Sequence, residues 1–204
     1  MTEKTSTRQA ILEAVVACIE AHGIEKLTTR RIAKTAGANL AAINYHFGTK
    51  DELVAQALAM TIQHMLEDVT AAIDEVESFA AMVEEVFFYL IDGSRRFPGI
   101  TTAHLYAVVV RHEYDSAAGR AMRDVLARLL DRATQEYPDD DADELGFALS
   151  QVFAAILFTM IAPGYLPVAE RYQLSDDGDS NVRHRVLARR YTSMLFACWG
   201  KPQS

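Results

Sequence analysis

Residues 28–50 read TTRRIAKTAGANLAAINYHFGTK, and this stretch decides the fold. Thr28 or Thr29 can cap a helix whose apolar face is Ile32, Ala33 and Ala36, and Gly37 stops it after about two turns. Asn39 caps a second helix with Ile43 and Phe47 on one face, and Gly48 interrupts it. Thr49-Lys50-Asp51-Glu52 is a capping box that opens a third, long helix. Two short helices joined by a tight Gly-containing turn make a helix-turn-helix, whose second helix enters the DNA major groove while the first braces it across the backbone.

The side chains fit that use. With Ile43 facing the core and each residue advancing about 100°, Leu40 and Phe47 fall beside it, whereas Ala41 and Tyr45 point outward, flanked by Ala42 and Asn44. Thr28, Thr29, Tyr45, His46 and Lys50 stand where hydroxyl, imidazole and ammonium donors reach phosphates. Thr28, Asn39 and Thr49 also serve as plain helix caps.

Upstream, Ile11, Leu12, Val15, Val16 and Ile19 recur at helical spacing over 6–22, and Gly23 ends that helix. Downstream, helices are expected near 49–75, 79–92 (ended by Gly93), 99–112, 116–136, 142–162 (ended by Pro163-Gly164) and 181–199. No period-two strand pattern is present. The fold class is therefore all-α: an N-terminal three-helix DNA-binding domain over 1–50, followed by a larger helical domain over 51–204. The acidic stretch QLSDDGDSN, 173–181, reads as a loop, because its spacing lacks the closing Glu of a calcium loop.

Composition bounds the function. Half of the 204 residues are hydrophobic, enough for a sizeable core. The net charge of −8 argues against nucleic acid only until its distribution is read. Residues 1–50 hold seven Lys and Arg against four Glu, a balance of +3, while the remainder holds 13 basic and 24 acidic residues, −11. Cys18 and Cys198 lie far apart and outside any metal-ligand spacing, which points to a reducing, cytoplasmic setting. No apolar run approaches a membrane span, and MTEKTSTRQ lacks the apolar region of a signal peptide, so no membrane partner is expected.

Catalytic motifs are missing. RHEYDSA, from Arg111, lacks the second His that a zinc-protease helix needs, and neither a phosphate-binding Gly loop nor a Gly-x-Ser-x-Gly elbow occurs. His104 and His112 read as ordinary histidines rather than a metal pair. No catalytic residue, metal or cofactor is expected.

The segment resembles the DNA-binding region of the TetR family of transcriptional regulators. That pattern appears as Thr29, Ile32-Ala33, Ala36-Gly37, Tyr45-His46-Phe47 and Lys50, and the likeness extends over roughly residues 5–65. Ile19 replaces the family's usual Phe, and Asn39 its usual Ser or Thr. The first is a core exchange, and Asn caps as well as Ser. By position, the resemblance assigns phosphate contact to Thr28, Thr29, Tyr45, His46 and Lys50, and base-edge or groove contact to Arg30, Asn39, Leu40, Ala41, Ala42 and Asn44.

The resemblance also implies double-stranded operator DNA as partner, a homodimer and a small-molecule ligand, apolar or amphipathic, acting on a repressor. An activator of the same fold is the alternative, with a helical enzyme or metal-binding protein carrying a helix-turn-helix behind it. A pocket in the larger domain would draw on Met60, Phe87, His104, Tyr106, Phe158 and Tyr165. The last two long helices would pair with their symmetry mates through Leu149, Phe153, Ile156, Val186 and Met194.

Overall fold

The computed structural model describes residues 2–162 and 180–201, which form helices and turns with no strand among them. The expected ending at Pro163-Gly164, most of the acidic loop 173–181, and Tyr165 lie outside the described residues. In order, the helices are α1 (Thr2–His22), α2 (Thr29–Ala36), α3 (Leu40–Phe47), α4 (Lys50–Asp74), α5 (Phe79–Arg96), α6 (Pro98–Val109), α7 (Ala117–Glu136), α8 (Ala142–Ile161) and α9 (Ser180–Trp199).

Two boundaries and one hydropathy reading differ instructively from the expectation. α5 passes through Gly93 to Arg96, carried by an ion pair one turn apart between Arg96 Nε and Asp92 Oδ2 at 3.0 Å. α6 stops at Val109, so the RHEYDSA stretch forms turns and offers no helix for a zinc-protease motif. α8 is long and apolar enough, at a mean hydropathy of 1.7, to cross a membrane by length and composition, which corrects the claim that no run approaches a span. Its Leu145, Leu149, Val152, Phe153 and Ile156 are nevertheless spent inside the protein core.

The chain divides into two compact units that interleave in sequence rather than splitting at residue 50. The first comprises Met1–His64 and Phe97–Arg120, the second Met65–Arg96 and Ala121–Ser204. In the first, α1, α2, α3, the start of α4 and α6 share one core: Ile11, Val15, Ile32, Ile43, Leu53 and Ala103 are among its buried residues. Nothing local announces α6 as a member, because periodicity shows that a helix has an apolar face but not which core receives it.

In the second unit, α5 packs on α8 and α9. Phe79, Phe196 and Trp199 form an aromatic cluster with centroids 5.9 Å apart pairwise, and Tyr137 lies 5.1 Å from Trp199. The first amide of α5, Phe79 N–H, donates to Glu136 Oε2 on α7 at 2.6 Å. Buried Asp92 and His184 join α5 to α9 through Oδ1 and Nδ1 at 2.8 Å.

Candidate nucleic-acid interface

Each turn of the helix-turn-helix is fixed by a side chain or a glycine that satisfies orphan backbone groups. Thr28 has extended backbone, and its hydroxyl accepts from Arg31 N–H at 3.2 Å, opening α2. Gly37 closes α2 at φ 62°, ψ 23°, and the Ala38 N–H reaches back to the Ala33 carbonyl at 3.0 Å. A side chain at Gly37 would be strained in that left-handed conformation, which is why Gly stands there. Asn39 Oδ1 accepts from Ala42 N–H at 2.8 Å and opens α3. The Thr49–Glu52 box then forms in both directions: Glu52 N–H donates to Thr49 Oγ1 at 3.1 Å, and Thr49 N–H donates to Glu52 Oε2 at 3.0 Å.

These caps orient α3 unambiguously. Ile43 and Phe47 are buried, while Asn39, Ala41, Asn44 and Tyr45 are exposed, with Tyr45 at 69 %. Leu40 is 42 % exposed rather than beside the core as the helical wheel had it. As the first residue of α3 it projects past the end of the packed face, where the wheel's angle no longer decides burial. Thr28, Arg30 and Lys50 are exposed; Thr29, Ala42 and His46 are half-buried. The eleven expected DNA-facing residues thus fall on α2, α3, their caps and the first residue of α4, with none of them buried.

Two supporting residues escaped the sequence reading. The Arg8 guanidinium on α1 sits 5.4 Å from the Phe47 ring and donates to Gln56 Oε1, tying α1 to the end of α3 and to α4. Glu20, also on α1, reaches α6. Both bridge helices distant in sequence, so no spacing rule flags them.

The expected ligand residues scatter. Met60 packs on the first unit's core and accepts from Gln9 Nε2 at its sulfur, 3.4 Å away. His104 is also in that unit: Thr61 Oγ1 donates to the Leu58 carbonyl at 2.8 Å, so at 3.0 Å it must accept from His104 Nε2–H. Burial lowers the His104 pKa to about 4, keeping the ring neutral. Tyr106 lines a cleft of about 300 Å³ with Lys50, Asp51, Val54 and Arg111.

Phe87, in the second unit, is fully buried, edge-on to Phe153 at 5.4 Å, and Phe158 is 45 % exposed. His112 bonds Tyr114 through Nδ1, so the two histidines serve different partners. Among the described residues no group of three or more His, Cys, Asp or Glu is placed to hold a metal ion.

The expected pairing residues need correction. Leu149, Phe153 and Ile156 are buried in the second unit's own core, because they lie on the side of α8 that meets α5 and α9. The surface of α8 instead presents Phe147, Phe158 and Ile161, and that of α9 Val182, Val186 and Met194, all at least 38 % exposed.

Residues 11–57 match the sequence profile of bacterial regulatory proteins of the tetR family. The nicotine-responsive transcriptional repressor HdnoR of Paenarthrobacter nicotinovorans is 33 % identical over 79 residues, 39 % of this chain and 41 % of that protein. The nucleoid occlusion factor SlmA of Idiomarina loihiensis is 25 % identical over 127 residues, 62 % of this chain and 64 % of that one. The chain thus spans less than two thirds of the length of these curated relatives. The fold matches the crystal structure of the transcriptional regulator FadR from Bacillus subtilis in complex with stearoyl-CoA, with a TM-score of 0.71 at 15 % identity, covering 92 % of this chain and 96 % of that one. Over residues 11–57, then, the N-terminal segment of this chain is similar to the tetR family of bacterial regulatory proteins.

Proposed function

We propose that the protein is a cytoplasmic transcriptional regulator that binds a palindromic operator as a homodimer and releases it when a small molecule binds the second unit. The observation that carries the reading is the exposed face of α3. Ala41, Asn44 and Tyr45 point outward from a helix anchored by Ile43 and Phe47, and Thr28 and Lys50 flank it with a hydroxyl and an ammonium group. Methyl and amide groups read base edges, and the flanking donors hold phosphates.

One eight-residue helix touches too few base pairs to select a site in a genome, so two copies are needed. The apolar surface to join them is Phe147, Phe158 and Ile161 with Val182, Val186 and Met194. On α9, Val182, Val186, Arg190 and Met194 are all exposed at i, i+4 spacing, a ridge that is apolar except for the one arginine. A second copy covers such a ridge by packing helix on helix. The effector is assigned to the apolar or amphipathic class, supported by the aromatic residues of the second unit and by the stearoyl-CoA complex of the structural neighbour.

Selection from a randomised duplex pool tests the reading. The wild-type protein is expected to enrich an inverted repeat and to bind it with an affinity that falls steeply with salt. Enrichment of a single, non-repeated site would refute the dimeric reading, and no enrichment would refute DNA binding.

A further inference from the structure

α6 begins without a cap of its own. Its N-cap residue, Phe97, supplies no side-chain hydrogen bond, and Pro98 occupies the first helical turn with no N–H to offer. The first amides needing partners are therefore those of Gly99 and Ile100. Both donate to one carboxylate, Glu20 on α1: Gly99 N–H to Oε2 at 3.1 Å and Ile100 N–H to Oε1 at 2.7 Å. A negative charge sits at the positive end of the helix dipole, supplied from about 80 residues upstream.

Gly99 makes the approach possible. A Cβ there would lie 2.8 Å from the Ile19 carbonyl oxygen and 2.9 Å from Glu20 Cα, both backbone atoms that cannot swing aside. Behind this contact, Ile100 and Ala103 are buried in the core that also holds Ile43 and Phe47 of α3. One turn on, His104 bonds Thr61 of α4. α6 is therefore fastened to α1 and to α4, the helices on either side of the helix-turn-helix in the chain.

We propose that Glu20 is a positioning residue for DNA binding: its carboxylate seats α6 on α1, and the orientation of α3 that operator DNA requires depends on that seat. The inference rests on the DNA-binding reading above. α6 is also joined in the chain to residues 65–96 on one side and 121–204 on the other, which belong to the second unit. A carboxylate held by two amides is a contact that can be broken and remade as a whole, so the seat is a point at which operator affinity can be switched.

The probe is the palindromic duplex enriched by the wild-type protein, with full-length variants compared where each is fully folded by circular dichroism. Glu20→Ala and Gly99→Ala are each expected to weaken binding about tenfold, the size of one charge-assisted bond pair. The salt slope should be unchanged, because every phosphate-facing cation is still in place. Glu20→Gln, which keeps one acceptor, should fall between Glu20→Ala and the wild type. The double variant should bind no more weakly than the weaker single one, because both changes break the same seat.

Hydrogen exchange on the wild-type protein reads the seat without any substitution, with the Gly99 and Ile100 amides expected to be protected. Rapid exchange at both, or unaltered duplex affinity in folded Glu20→Ala and Gly99→Ala, would overturn the proposal. Failure of the wild-type protein to enrich any duplex would overturn the regulator reading instead, an outcome the exchange data separate from loss of the seat.

Discussion

His104 gives the most quantitative test of how α6 is held. Burial lowers its pKa from the ordinary 6.5 to about 4, and it donates Nε2–H to Thr61 as a neutral ring. In the unfolded chain the imidazole takes up a proton as pH falls through 6.5; in the folded chain it resists until about 4. Between those values the unfolded state binds more protons, so stability must fall as pH falls. At roughly 1.4 kcal/mol per pKa unit, the loss reaches about 2 kcal/mol at pH 5 and about 3 kcal/mol at pH 4. His104→Gln keeps an N–H near Thr61 and cannot titrate. Urea unfolding of both proteins at several pH values, followed by circular dichroism, isolates this group, since every other titration cancels in the difference. The wild type minus variant stability should be flat above pH 7 and decline below 6.5. A difference independent of pH would refute a buried neutral ring.

Three further outcomes follow from the interface. Lys50→Ala should weaken binding to all duplexes alike and lower the salt slope by about one for each phosphate that is no longer neutralised, leaving base preference intact; a changed base preference with the same slope would reverse the role given to Lys50. Thymines facing Ala41 and Ala42 near the centre of each half-site should matter through their methyl groups, so uracil in their place should cost roughly 1 kcal/mol per methyl, and no effect would remove those alanines from readout. Val186→Glu and Met194→Glu should raise the dimer dissociation constant by roughly a hundredfold or more by placing charge in a buried contact, whereas Leu149→Glu should unfold the second unit; sedimentation that finds the first two variants still dimeric would move the pairing face elsewhere.

The parts of this molecule that were legible in its sequence are those whose cause is local. Thr28, Gly37, Asn39 and the Thr49–Glu52 box each act within four residues of themselves, and all four occur as the spacing predicts. Leu40 failed the helical wheel because burial at a helix end depends on where the neighbouring helices stop. Leu149 and Val186 show the same limit. Both lie on apolar faces, but α8 and α9 each carry two, and only the packing of α5 decides which face turns inward.

Glu20 marks where sequence reasoning stops for a physical reason. As a half-buried Glu in an amphipathic helix it looks like any solvated side chain, and Phe97-Pro98-Gly99 looks like a helix start that lacks a side-chain cap. Each defect resolves the other only once the chain has brought them together. The missing cap calls for an acceptor, the missing Cβ at Gly99 lets α1 come close enough to supply one, and the carboxylate gains two amides that water would otherwise hold. A helix that borrows its cap from α1 belongs with α1 energetically, whatever its place in the chain. Residues 97–120 accordingly group with α1–α3 although 32 residues of the other unit, Met65–Arg96, separate them from His64.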